Sequence, residues 1–180
     1  LRYHEHDERN ARQLLDRLKG GEDLALVSDS GLPGISDPGR RIARMAREAG
    51  VPVTALPGPS AVTAALAGSG LPADSFVFLG FLPRSTGKQK RMIEEAARLE
   101  RTIVIYESPF RVVATLDTAQ AVLGPRAQTC IVRELSKLHE EWLAGPLAEV
   151  RENLARREEL LGEFVIMIHP RQDAVLPKVG

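Results

Sequence analysis

A chain of 180 residues with 43% hydrophobic content can build one large or two small domains with real cores. Its 24 Lys plus Arg balance 24 Asp plus Glu, so no global basic excess argues for a nucleic-acid partner, although a local patch would suffice for one. The single cysteine, Cys130, excludes an internal disulfide framework. With no apolar run near the roughly 18–20 residues of a membrane span, and no signal-peptide core in LRYHEHDERN, the chain reads as cytoplasmic and without a membrane partner.

Residues 8–19 read as an amphipathic helix with Ala11, Leu14, Leu15 and Leu18 on one face, ended by Gly20-Gly21. Leu24 to Val27 has the character of a buried strand, and a loop carrying Gly31, Pro33, Gly34, Asp37, Pro38 and Gly39 follows. Ile42, Met45, Ala46 and Ala49 then recur at helical spacing, with Asp37 placed to cap and Pro38 at the first helical position. Strand, glycine-rich loop and helix is how open α/β folds offer backbone donors to a ligand. An ordinary strand-to-helix connection has the same pattern, and the residues alone leave both readings open. Gly50 ends this helix, Val51 to Leu56 makes a second strand, and Pro57-Gly58-Pro59-Ser60 turns into a small-residue helix over 61–68. With few bulky side chains, that helix can approach a sheet or a ligand closely. The alternation of helix and strand argues for parallel crossovers.

A domain boundary is expected near 70–84, where strand 75–81 meets the breaker-rich linker 82–87. A charged helix over 88–100 follows, with Met92, Ala96 and Leu99 facing inward. Next come strand 102–106, a helix from about Pro109 to Leu123, and strand 127–132 after the Gly124-Pro125 break. The polar stretch 133–145 reads as a loop and a strand ending at Gly145-Pro146; helix 147–157 and strand 163–168 close the pattern, and the aperiodic tail is expected to be disordered.

Six runs carry a resemblance: SDSGLPGISDPG at 28–39, PGPSAVTAALAGSGLP at 57–72, GFLPR at 80–84, YESPFR at 106–111, RELSKLHEE at 133–141 and GEFVIMI at 162–168. In this order they resemble the tetrapyrrole-methylase-like methyltransferases, the class III fold that uses S-adenosylmethionine. Within it they are most similar to the branch that methylates a cytidine 2′-hydroxyl in small-subunit (16S) ribosomal RNA. The resemblance implies an α/β protein of two lobes: a parallel-sheet first lobe ending within 1–74, a mixed-sheet second lobe over 75–170 and a tail at 171–180. It implies S-adenosylmethionine as methyl donor with no metal, against Ser28, Asp29, Ser30, Gly31, Leu32 and Pro33 and against Ser60 and Ala61. It also implies 16S ribosomal RNA or the small subunit as substrate, and a homodimer. Chains of the family open with a TPIGNL-like loop and an AEDTR-like run, neither of which is in this sequence. These residues are therefore expected to form a fragment that binds the donor weakly and methylates RNA poorly.

Two charged pairs, Glu107 with Arg111 and Arg133 with Glu134, sit beside predicted strand ends. They suit a converging polar cleft, and a charge-paired domain interface equally. In the first reading Glu107, then Glu134, is the candidate general base, and Arg111, Arg133 and Lys137 track RNA phosphates. Arg84, Lys88, Lys90 and Arg91 read as a solvated helix face. Thr86-Gly87-Lys88-Gln89 lacks the spacing of a phosphate loop, and His4 and His6 lack the company of a metal site. Cys130 reads as a strand residue, and Trp142 as core, interface or base-stacking platform alike. A corrin-precursor-type methyltransferase of the same fold and a non-catalytic RNA-binding or dimerisation module are the alternative functions.

Overall fold

A computed structural model describes residues 3–5 and 7–171. His6 and residues 172–180, nearly all of the expected tail, lie outside the described residues. The chain divides into two compact units that meet in sequence at Ser60/Ala61.

The first unit holds α1 (Glu8–Lys19) and α2 (Arg40–Glu48). Asp7 caps α1 by accepting from the Asn10 N–H at 2.9 Å. Glu8 in the first turn and Arg17 and Lys19 in the last complement the helix dipole. The two strands expected here do not form: 24–27 and 51–56 carry no ladder, and Leu26, Val27 and Leu56 are 42%, 83% and 76% exposed. An apolar run becomes a strand only beside another strand that satisfies its backbone, and no strand is present in this unit among the described residues. The expected cap of α2 is also corrected. The N-cap is Gly39, and the Glu5 carboxylate takes the free amides, accepting from Gly39 N–H at 2.8 Å and Arg41 N–H at 3.0 Å. Asp37 instead accepts a hydrogen bond from the Ser28 hydroxyl.

The second unit contains α3 (Ala61–Ser69), β1 (Phe76–Phe81), α4 (Thr86–Ala97), β2 (Thr102–Glu107), α5 (Val112–Leu123), β3 (Gln128–Arg133), β4 (Glu141–Pro146), α6 (Leu147–Ala155) and β5 (Phe164–His169). Its single mixed sheet has the order β1-β2-β5-β3-β4, with β1 parallel to β2 and the other pairs antiparallel. Strands β2, β3 and β5 are apolar almost throughout because both faces are covered. Ile103, Ile105, Ile131, Phe164, Ile166 and Ile168 pack under Ile93 of α4, Leu116 of α5 and Leu154 of α6. Val104, Cys130, Val132, Val165 and Met167 alternate with them and face Val62, Ala65 and Leu66 of α3. This packing groups α3 with the second unit, whereas the lobe boundary expected from the sequence falls after residue 74.

Small residues do let α3 approach the sheet closely, since a Cβ on Gly68 would lie 2.7 Å from Trp142 Cη2. Trp142 is therefore half-buried against α3. Leu99 departs from expectation: α4 ends at Ala97 and Leu99 is 54% exposed. Cys130 is a buried strand residue whose thiol burial pushes up to about 11. A thiol reagent at pH 8 should leave the native protein unlabelled and titrate one equivalent after unfolding, because the thiolate is the nucleophile. Labelling of the folded protein at the rate of free cysteine would contradict this packing.

Candidate functional site

In the first unit, the glycine-bearing loop and the Pro57–Ser60 turn come together. A Cβ on Gly31 would stand 3.4 Å from the Pro59 carbonyl oxygen, and one on Gly58 would stand 3.3 Å from Leu32 Cδ1. Gly31 holds φ +76, a conformation that only glycine adopts readily. The Ser28 hydroxyl, bonded to Asp37, also accepts from Ser30 N–H at 3.3 Å and so fixes the start of the loop. Asp29, Ser30 and Gly31 are exposed, while Leu32, Pro33 and Ser60 are half-buried. Exposed backbone donors beside a carboxylate and a half-buried apolar step form the kind of surface that holds a polar ligand with an apolar part. Ala61, the last of the expected cofactor contacts, opens α3 in the second unit.

In the second unit, four of the motifs share one edge of the sheet. Phe81 pairs with Tyr106, Glu107 with Phe164, Phe164 with Arg133, and Arg133 with Glu141. The runs GFLPR, YESPFR, RELSKLHEE and GEF thus leave neighbouring strands together. The charged residues at this edge bind one another. Glu107, with its side chain 1% exposed, accepts from Ser108 N–H at 2.8 Å and Thr115 Oγ1–H at 2.8 Å, and pairs with Arg111 Nη2 at 3.2 Å. Arg111 Nη2 also donates to the Leu82 carbonyl at 2.8 Å. Arg133 and Arg157 both bind the Glu141 carboxylate, at 3.2 Å and 2.6 Å. Arg157 above all, and then Arg133, holds Glu141 below the usual carboxylate range despite its partial burial. Lys137 bridges Glu134 and Glu163, each at 2.9 Å. Glu134 in addition accepts from Glu163 N–H at 2.8 Å. The Lys137 and Glu163 hydrogen bonds lower its pKa.

Both candidate bases, and the three candidate phosphate contacts, have partners within this geometry. Glu107 and Arg133 share the face occupied by Ile105 and Ile131, so they lie beneath α4–α6 and on the side opposite α3. A general base must reach its proton, and Glu107 is enclosed by three donors. Glu134 is bound at both ends and its lowered pKa makes it a weaker base. Arg111, Arg133 and Lys137 are likewise engaged within the fold. Thr115, Glu141 and Arg157 complete these clusters, and no local sequence pattern announces them, since their partners sit at other elements. Among the described residues, no group of three or more His, Cys, Asp or Glu side chains could hold a metal ion. No helix among them is long and apolar enough to cross a membrane.

A mixed five-stranded sheet with helices on both faces, preceded by paired glycine loops, defines a methylase-type α/β protein. The chain belongs to the Tetrapyrrole (Corrin/Porphyrin) Methylases, whose family model matches residues 2–151. It is 43% identical over 173 residues to the ribosomal RNA small subunit methyltransferase I of Vibrio cholerae, covering 95% of this chain and 60% of that protein. It is 41% identical over 177 residues to the protein of the same name in Halalkalibacterium halodurans, covering 98% of this chain and 61% of that one. The chain thus spans about three fifths of the length of these relatives. Among solved structures it resembles the methyltransferase CobJ, with TM-score 0.65 and 19% identity over 87% of this chain and 69% of that one. The uroporphyrin-III C-methyltransferase of Thermus thermophilus complexed with S-adenyl homocysteine has TM-score 0.60 and 22% identity, covering 89% of this chain and 72% of that one. At these identities the structures establish the fold.

Proposed function

We propose that this chain is part of an S-adenosylmethionine-dependent methyltransferase that modifies the ribose 2′-hydroxyl of a cytidine in 16S ribosomal RNA. The observation that carries the reading is 43% identity, across 95% of the chain, to a protein named ribosomal RNA small subunit methyltransferase I. A cytoplasmic homodimer acting on the small subunit or its RNA completes it. The identity over nearly the whole chain favours this reading over a corrin-precursor substrate.

The loop at 28–33 fits a methyl donor. Asp29, Ser30 and Gly31 are exposed, and the glycine at 31 gives the loop a backbone conformation, φ +76, that side chains disfavour. Ser28, Asp29, Ser30, Gly31, Leu32, Pro33 and Ser60, with Ala61 following, would hold the donor. When bound, the donor would supply a methyl carbon to the attacking 2′-oxygen, the carbon–sulfur bond breaking to release S-adenosylhomocysteine and the hydroxyl proton passing to water. The protein's own part is to align the reactants, which accounts for much of such an acceleration. Glu107, Arg111, Arg133, Glu134 and Lys137 serve this reading as positioning residues, because they lock the loops of one sheet edge.

The test is titration of S-adenosylhomocysteine by calorimetry, beside methylation of unmodified small subunits. Gly31→Val should lose at least tenfold in affinity while the protein stays folded by circular dichroism, since valine is strained at φ +76 and must move the loop backbone. Unchanged affinity in a folded variant removes the loop from the site. A folded wild-type chain that binds no donor overturns the assignment.

A further inference from the structure

With Arg111, Arg133 and Lys137 each paired to carboxylates of the fold, the sheet edge needs other groups if it is to meet RNA. Arg84, Lys88 and Arg91 are exposed and make no ion pair among the described residues. Their placement on and before α4 also runs against helix stability. Lys88, Lys90 and Arg91 crowd the first half of α4, and Glu94 and Glu95 the second half, the reverse of what the helix dipole favours. Lys90 with Glu94, at 3.9 Å, has the less favourable order for an i,i+4 pair. Cations kept at the wrong end of a helix are explained by something outside it.

Two aromatic rings stand at the same edge. Phe110 is 92% exposed in the turn after β2, and Phe81 is 57% exposed at the end of β1. Phe81 is held edge-on to Tyr106 with centroids 5.6 Å apart. Arg111 Nη2 fastens the Phe110 turn to the segment before Arg84 through the carbonyls of Leu82, at 2.8 Å, and Pro83, at 3.3 Å. Gln89 Nε2 donates to the same Pro83 carbonyl at 2.8 Å. The rings and the free cations are therefore carried on segments tied to each other.

Resting on the ribosomal RNA reading above, we propose that Phe81 and Phe110, with Arg84, Lys88 and Arg91, form a platform for single-stranded RNA. Bases would stack on the rings while the cations neutralise phosphates. Exposed aromatics interleaved with unpaired cations are the combination that single strands require and that tolerates any sequence. Arg111 acts here as a positioning residue that holds the two segments together.

The experiment is fluorescence-anisotropy binding of a labelled single-stranded oligoribonucleotide at several salt concentrations, with S-adenosylhomocysteine affinity measured alongside. Phe110→Ala should weaken RNA binding about tenfold, and Phe110→Trp should restore it. Replacing Arg84, Lys88 and Arg91 by serine should reduce the slope of log affinity against log salt by about 2, at roughly 0.7 per phosphate contact. Arg98→Ser with Arg101→Ser, at the other end of β2, should change neither. Donor affinity should stay constant throughout. Wild-type RNA affinity in both the Phe110→Ala and the triple-serine variants overturns the platform and leaves the methyltransferase reading standing. A wild-type chain that binds the donor and no single-stranded RNA likewise overturns the platform alone, whereas loss of donor binding by wild type strikes the reading beneath it.

Discussion

Replacing Glu107 by alanine is expected to destabilise the second unit by about 3–5 kcal/mol, the usual cost of breaking a buried pair from one side. The side chain is 1% exposed, so its removal leaves two donors, the Thr115 hydroxyl and the Ser108 amide, without their acceptor and takes the counter-charge from Arg111. Arg111 keeps its bonds to Leu82 and Pro83 and is 30% exposed, which moves the expected value toward the lower end of the range. In urea the midpoint should fall by roughly 1–3 M, given slopes of about 1–3 kcal/mol per molar. Glu107→Gln preserves the shape and loses less, because its carbonyl oxygen still accepts from one of the two neutral donors while its NH2 group faces the other. The comparison separates a structural carboxylate from a chemical one. A general base replaced by glutamine loses turnover and keeps its stability, whereas Glu107 should lose stability in step with the hydrogen bonds removed. Wild-type midpoints in both variants would show that the cluster contributes nothing to the fold.

What could be read from the chain, and what could not, divides along the same physical line. Strands β2, β3 and β5 are legible because burial on both faces demands an almost unbroken apolar run, as in Ile103-Val104-Ile105 and Val165-Ile166-Met167-Ile168. Helix α1 is legible from its periodicity and the Gly20-Gly21 stop. Leu24–Val27 and Val51–Leu56 have the same composition and form no ladder, because an apolar run records what a strand wants to face and nothing of which neighbour it pairs with. Asp37 sits where a cap is expected and was displaced by Glu5, which approaches α2 from 34 residues away along the chain. The candidate site shows the same limit. That Glu107, Arg111, Arg133 and Glu134 gather at one sheet edge follows from their positions at strand ends. Which way they turn depends on strand alternation combined with where α5 and α6 pack, and that alternation places Glu107 with Thr115. Charge at a strand end therefore marks which residues gather and leaves open which way each one turns.

The last expected result concerns the joint between two of the edge motifs. Gly162→Ala should destabilise the protein by about 2–5 kcal/mol, combining left-handed strain of about 1–2 kcal/mol with overpacking of about 1–3. Gly162 holds φ +91, and a Cβ there would lie 2.5 Å from Glu134 Cγ and 2.7 Å from Glu134 Oε1. Glu134 cannot swing aside freely. Its carboxylate accepts from Lys137 at 2.9 Å and from the Glu163 amide at 2.8 Å, and its own amide donates to the Glu163 carbonyl at 2.9 Å. Moving the side chain exchanges the clash for the loss of two charge-assisted bonds. A double-mutant cycle distinguishes the contributions. Glu134→Ala alone removes the bonds, and in that background Gly162→Ala should retain only the strain, so the two substitutions together cost less than their sum. Acid titration provides an independent check of the sign. Glu134 has a folded-state pKa below its ordinary value of 4.5, so its contribution is complete above that value and is lost as pH falls through the lower, folded one. The stability difference between wild type and Glu134→Ala should accordingly shrink as pH drops below about 4.5. Strict additivity in the cycle would mean that the Glu134 side chain does not meet position 162 at all, and the interlock of the two motifs would have to be abandoned.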